Sequence, residues 1–128
     1  MKNHKNHEAL INGLTKELKP IFKKSEQAIY LYLDDIHKSC NKKFAKLLGY
    51  DSPEQWAKTT EPFTQAFVEP ASQKTLVSAF QKAMEKCVGS KIKVVWKKKT
   101  GKPVKTGVIL IPIRYKGHLF ALHFISSH

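Results

Sequence analysis

Between Glu8 and Lys19 the apolar residues Leu10, Ile11, Leu14 and Leu18, followed by Ile21, fall on one face of a helix. Pro20 is expected to interrupt that helix, because proline lacks an N–H and crowds the preceding turn. Phe22 to Ser25 then reads as a short further turn. The period next changes from helical to alternating. Ala28 to Leu33 (Ala-Ile-Tyr-Leu-Tyr-Leu) is β-branched and aromatic and predicts a strand, closed by a turn at Asp34-Asp35. Ile36 to Cys40 predicts the return strand of a hairpin.

Asn41 to Trp56 predicts two short helices separated by a stop. Phe44, Leu47 and Leu48 share one helical face, and Asn41 suits the N-cap. Gly49 stands where a left-handed C-cap residue belongs, since glycine takes positive φ without a Cβ penalty. Ser52 then offers a second N-cap, Pro53 fits the first helical position, and Gln55 can complete a capping box.

Glu61 to Val68, with Pro62, Phe63 and Phe67, predicts an irregular helical turn. Pro70 opens a long helix with Leu76, Phe80, Ala83 and Cys87 on one face and Val77 and Met84 beside it; Gly89 is expected to end it. Three strands follow, Lys91 to Lys99, Pro103 to Arg114 and His118 to Ser126. Thr100-Gly101-Lys102 and Lys116-Gly117 mark the tight turns between them.

The segment Asn41-Lys-Lys-Phe44-Ala-Lys-Leu47-Leu48-Gly49-Tyr50-Asp-Ser-Pro-Glu54 resembles the Asn-x-x-Phe-x-x-Leu-Leu-Gly-Tyr-x-x-x-Glu signature of PAS domains. The basic, glycine-containing hairpin Trp96 to Val104, Ile111-Pro112-Ile113 and the last strand, Leu119 to Ile125, are similar to the family's C-terminal strands. The resemblance covers roughly residues 26–126. It implies an α+β fold: a five-stranded antiparallel sheet with helices on one face, enclosing a small cavity. Residues 1–25 are then an N-terminal amphipathic helix and cap, and 26–128 the PAS domain.

Strand alternation, taken with that resemblance, assigns the faces. Ile92, Val94 and Trp96, opposite the lysines of their strand, mark the core face. Ile29, Leu31, Leu33, Val108, Leu110, Phe120, Leu122 and Phe124 are expected to join them. The expected cavity wall comprises Leu31, Leu33, Phe44, Leu48, Phe63, Phe67, Leu76, Phe80, Val94, Trp96, Val108, Leu110, Leu122 and Phe124, with Trp96 filling much of the space. The other face would carry Tyr30, Tyr32, Ile109, Ile111, Ala121, His123 and Ile125, too apolar for open water. The N-terminal helix, through Leu10, Leu14 and Leu18, is the expected cover, from the same chain or from a partner. The apolar spacing at Ile11, Leu14, Leu18 and Ile21 is close to a coiled-coil seam, which favours a homodimer.

With 128 residues there is room for one cored domain. No apolar run approaches the roughly 20 residues of a membrane span, and Met1 to Glu8 has no signal-peptide core, so a cytoplasmic location is expected. Cys40 and Cys87 lack metal-ligand spacing and read as reduced thiols. The 23 Lys+Arg against 10 Asp+Glu leave a formal charge of +13, which attracts acidic partners or nucleic acid. Nearly all of it is lysine, however, with Arg114 the only arginine, and specific phosphate or base recognition leans on arginine's rigid fork. The resemblance to PAS domains implies that the Lys91 strand is the sheet edge, so lysines 91, 93, 97, 98, 99, 102 and 105 read first as protection of that edge.

Candidate chemistry is sparse. Haem-binding PAS sensors place a histidine on or beside the long helix, and Ala71 to Cys87 contains none. The Asn-Cys-Arg segment with which photoreceptor relatives trap flavin is missing, so neither haem nor a covalently trapped flavin is expected; an unidentified small molecule fits the cavity. His4 and His7 read as solvated, His118 and His123 fall on opposite faces of one strand, and no metal site is expected. Asp34 and Asp35 read as a turn. No nucleophile, base and orienting group can be assembled, so no enzyme is expected.

These readings converge on a non-enzymatic PAS sensory or signalling module that binds a small apolar ligand or a protein partner and homodimerises. With no output segment recognisable in the chain, a signal would pass through a signalling partner. The alternatives are an adaptor whose cavity is filled by its own side chains and a basic, nucleic-acid-associated regulator; no membrane association is expected.

Overall fold

The computed structural model describes residues 3–127, with side chains over 6–126. In chain order the elements are α1 (Asn3–Lys24), β1 (Ala28–Tyr32), β2 (Lys38–Cys40), α2 (Lys42–Leu47), α3 (Pro53–Ala57), α4 (Phe63–Phe67), α5 (Pro70–Lys86), β3 (Ser90–Lys97), β4 (Pro103–Tyr115) and β5 (His118–Ser127). The strands form one antiparallel sheet in the order β2-β1-β5-β4-β3. Helices α2 to α5 pack on one face and α1 on the other. No described helix is long and apolar enough to cross a membrane.

The capping chemistry determines where the short helices begin. Asn41 Oδ1 accepts from the Phe44 N–H and Ser52 Oγ from the Gln55 N–H, so α2 and α3 each start on a side-chain cap. Gln55 Oε1 reaches back to the Asp51 N–H, one residue beyond the N-cap N–H of the expected box. Gly49, at φ 85°, turns the chain out of α2.

Two boundaries differ from expectation. Helix α1 runs through Pro20. The carbonyl that loses its donor there lies beside an exposed proline and can bond water, while the last turn is held from outside: Asn41 Nδ2 donates to the Phe22 carbonyl at 3.3 Å. Helix α5 ends at Cys87 and not at Gly89. Cys87 itself takes the left-handed conformation (φ 54°), and its N–H bonds the Ala83 carbonyl.

The face assignment is corrected for β1 and β5. Residues paired across an antiparallel ladder share a face, and the pairs run Ile92–Val108–Ile125–Ala28 and Leu110–His123–Tyr30–Cys40. Tyr30, Tyr32, Ala121, His123 and Ile125 therefore lie on the α2–α5 side with Val94, Trp96, Val108 and Leu110. Ile29, Leu31, Leu33, Phe120, Leu122 and Phe124 lie under α1. Both strands are apolar on both sides, so alternation alone leaves their parity open, and a slip of one residue reverses it.

Helix α1 closes its own sheet. Leu10, Ile11, Leu14 and Leu18 are buried against Ile29, Leu31, Phe120 and Leu122, with Ile111 and Ile113 alongside. Gly13 permits the close approach: a Cβ there would meet the Tyr115 hydroxyl at 2.6 Å. Ile109, expected under a cover, is 45% exposed.

Candidate functional site

The α2–α5 side of the sheet is dense with rings. Trp56 and Trp96, both fully buried, meet Phe44 edge-on at 5.0 and 5.5 Å. The Trp96 indole N–H donates to Thr106 Oγ1 (2.8 Å), whose hydroxyl donates to the Val94 carbonyl (2.9 Å). A buried indole is thus satisfied within its own β3–β4 ladder.

Beside this cluster lies a cavity of about 190 Å³. Its walls are Tyr30 and Tyr32 from β1, Asp35 from the β1–β2 turn, Pro62, Phe63 and Thr64 around the start of α4, Leu76, Val77 and Phe80 from α5, and His123 from β5. The His123 imidazole lies flat on Tyr30, with ring centroids 3.8 Å apart and planes 8° apart. Phe63 stacks on Tyr30 at 5.3 Å, and Phe80 meets Tyr32 edge-on at 5.3 Å. At the polar side, the Tyr32 hydroxyl donates to Asp35 Oδ1 at 2.7 Å, and the Phe63 N–H donates to the same oxygen at 3.2 Å.

Burial dominates the electrostatics. His123 is only 2% exposed; loss of hydration pushes its pKa down to about 3, against a smaller upward pull from the backbone of Tyr30 and Ala121. It is therefore a neutral imidazole at neutral pH, and its Nδ1 has no hydrogen-bond partner among the described residues. Burial also raises the Tyr32 hydroxyl well above its ordinary range, with the Asp35 hydrogen bond adding to the effect. Below Asp35, the Lys38 ammonium donates to the Asp35 and Thr59 carbonyls, both at 2.7 Å, and sits 5.3 Å from the centre of the Trp56 ring. Desolvation brings it down to about 8, opposed by the carboxylates of Asp35, Asp34 and Glu61.

Of the residues expected to wall the cavity, Phe63, Leu76 and Phe80 do so. Phe44, Leu48, Phe67, Val94, Trp96, Val108 and Leu110 belong to the surrounding core. Leu31, Leu33, Leu122 and Phe124 are on the α1 side. Among the residues expected to form a partner face, Tyr30, Tyr32 and His123 line the cavity and Ile125 joins the core around it, while Leu10, Leu14, Leu18 and Ile111 pack together under and along α1. Asp35, Pro62, Thr64 and Val77 were missed. A signal for the parity of β5 was present: a two-residue turn at Lys116-Gly117 pairs Tyr115 with His118, which puts His123 opposite Leu110.

A second polar group lies where α1 crosses the β1–β2 turn. His7 Nδ1 is 2.7 Å from Asp34 Oδ2, and His37 Nδ1 is 2.8 Å from Asp34 Oδ1. The side chain of His4 lies outside the described residues.

No protein-family profile matches the chain, and no curated protein does. Solved structures match it over nearly its whole length. A PAS domain from Colwellia psychrerythraea superposes with a TM-score of 0.68 at 18% identity, over 90% of this chain and 97% of that one. The PAS domain of an HTR-like protein from Haloarcula marismortui gives 0.63 at 17% identity, over 97% and 99%. The PAS domain of nitrogen regulation protein NR(II) from Vibrio parahaemolyticus gives 0.67 at 13% identity, over 85% and 95%. At such identities the likeness is one of fold, and the fold it establishes is that of a PAS domain.

Proposed function

We propose that the chain is a non-enzymatic sensory or signalling module whose cavity takes a small, mostly apolar ligand carrying one polar group. The observation that carries this reading is the cavity itself, about 190 Å³ walled by rings and aliphatic side chains, with the Asp35 carboxylate in its lining as the polar group. The surrounding rings favour a flat, apolar body. A dry cavity of about 150 Å³ accommodates benzene, so about 190 Å³ suits a ligand of one substituted ring. The regulatory context named for one structural neighbour, nitrogen regulation protein NR(II), agrees with a signalling role.

Native mass spectrometry of freshly purified protein, followed by NMR titration with single-ring compounds such as indole and phenol, tests the reading. A retained small molecule, or shifts centred on Tyr30, Phe63 and His123, supports it. An empty protein whose cavity resonances ignore every probe overturns it and favours an adaptor with a self-filled core.

Partner contacts complete the reading. Ligand binding can pass a signal only if it prefers one arrangement of the chain, and α1, docked on the far face of the same sheet, is the element best placed to shift. Two copies are proposed to pair along α1, through the flank carrying the exposed Ile21 or by exchange of the helix. The lysine surface serves solubility and edge protection in this reading; a nucleic-acid-associated regulator is the alternative that surface would serve.

A further inference from the structure

The polar group outside the cavity is built from parts distant in sequence. His7 comes from α1, Asp34 and His37 from the β1–β2 turn, and the His118 ring from the start of β5 lies 5.8 Å from that of His7. The Asp34 carboxylate stands between two imidazoles, at 2.7 Å from His7 Nδ1 and at 2.8 and 3.0 Å from His37 Nδ1. One donor atom each from His7, Asp34 and His37 lie within 4.8 Å of one another.

The geometry points to a transition-metal site, in which His7, Asp34 and His37 hold a divalent ion of the zinc type and the ion pins α1 to the β1–β2 turn. Two imidazole nitrogens and a carboxylate oxygen suit Zn²⁺, Co²⁺, Ni²⁺ or Cu²⁺, whereas Mg²⁺ and Ca²⁺ prefer oxygen alone. Bonds of about 2.0–2.2 Å place the donors of a tetrahedral shell roughly 3.3 Å apart, a spacing that small ring rotations reach from the one observed. A fourth position remains for water or His118.

Two of the three donors are prearranged. Asp34 Oδ1 accepts from the Ile36 and His37 N–H groups at 3.0 and 2.7 Å, while the His37 carbonyl accepts from the Leu33 and Asp34 N–H groups. Burial pulls the Asp34 carboxyl upward, but its hydrogen bonds to His7, His37 and Ile36 outweigh that and hold it below its ordinary value, so the donor is a carboxylate. The third donor, His7, is delivered by the docking of α1 through Leu10, Ile11 and Leu14. The site has an entry path, as the His7 and Asp34 side chains are 28% and 36% exposed. A chain of net charge +13 repels cations at long range, so an ion retained here is held by its donors and not by a general field.

The test uses the full, untagged chain, stripped with a chelator and titrated with ZnCl₂ by calorimetry at neutral pH, with CoCl₂ as a spectroscopic probe. One ion per chain is expected, with the intense visible bands of low-coordinate Co²⁺ and a rise in melting temperature that MgCl₂ does not reproduce. Loss of an outer-shell partner alone weakens metal sites about 10–100-fold, so His7→Ala and His37→Ala should each weaken zinc by at least about tenfold. Asp34→Asn retains an acceptor for the turn amides, which keeps the turn folded, and should weaken zinc as well. Hydrogen exchange in the first turns of α1 should slow with zinc in the wild type and not in His7→Ala. Absence of stoichiometric binding, or zinc affinity unchanged in His7→Ala or in His37→Ala, overturns the proposal. It would leave the cluster as a hydrogen-bonded tie between α1 and the turn. These probes do not involve the cavity, so the outcome is independent of the ligand reading.

Discussion

His123 and Tyr30 are paired across β5 and β1, and their rings stack with centroids 3.8 Å apart in the cavity wall. The neutral imidazole required by this stack ties folding to pH. In the unfolded chain His123 takes up a proton near pH 6.5, and in the folded chain only near pH 3. Between those values the unfolded state binds more protons, so stability is fully present above about pH 6.5 and is lost as pH falls towards about 3. Urea midpoints measured across this range should drop on the acid side. His123→Phe keeps a flat ring on Tyr30, removes both the titration and the orphaned Nδ1, and should flatten that limb. An equally steep limb in the variant would assign the acid loss to other groups.

Trp96 is fully buried and surrounded by Tyr30, Phe44 and Phe63. Trp96→Ala removes a large ring from a rigid setting and should cost about 3–5 kcal/mol. Trp96→Phe retains most of the packing but strands the Thr106 hydroxyl's partner site, and should cost less. A small shift in the denaturation midpoint of Trp96→Ala would mean that this core is loosely packed.

Asn41 joins three elements. Its Oδ1 accepts from the Ile29 and Phe44 N–H groups, both at 3.0 Å, and its Nδ2 donates to the Gln27 and Phe22 carbonyls. Asn41→Ala leaves two buried N–H groups without an acceptor, so about 2–4 kcal/mol should be lost. The urea midpoint should fall with little change in the slope. A loss of only a few tenths would show that water replaces the amide at this junction.

Much of this architecture was legible from local signals. Asn41, Ser52 and Gly49 announced their caps, and the charged and apolar sides of Lys91 to Lys97 gave β3 the correct parity. Where strands are apolar on both sides, as in Ala-Ile-Tyr-Leu-Tyr-Leu, alternation carries no parity, and the pairing decides it, signalled in advance only by the turn at Lys116-Gly117. That is why Tyr30 and His123 changed sides. Pro20 misled because an exposed proline can be spanned when tertiary contacts hold the next turn. The His7–Asp34–His37 group was invisible for a different reason. Its members are brought together by the docking of α1, which no spacing motif encodes.

Leu14 and Ile21 separate the two roles open to α1. Leu14 is 5% exposed and packs on its own sheet, whereas Ile21 is 47% exposed. Leu14→Ala should cost about 2–4 kcal/mol in any oligomeric state, since it opens a cavity beneath the helix. Ile21→Asp should leave the monomer's stability within about 0.5 kcal/mol, as surface changes do, yet abolish pairing along that flank. Light scattering on the wild type should then give twice the 14.6 kDa chain mass, and Ile21→Asp should give a single chain. Two chains of formal charge +13 repel each other, so association should strengthen as salt screens that charge. A wild-type mass of one chain at every salt concentration would refute the pairing and leave α1 as an intrachain lid.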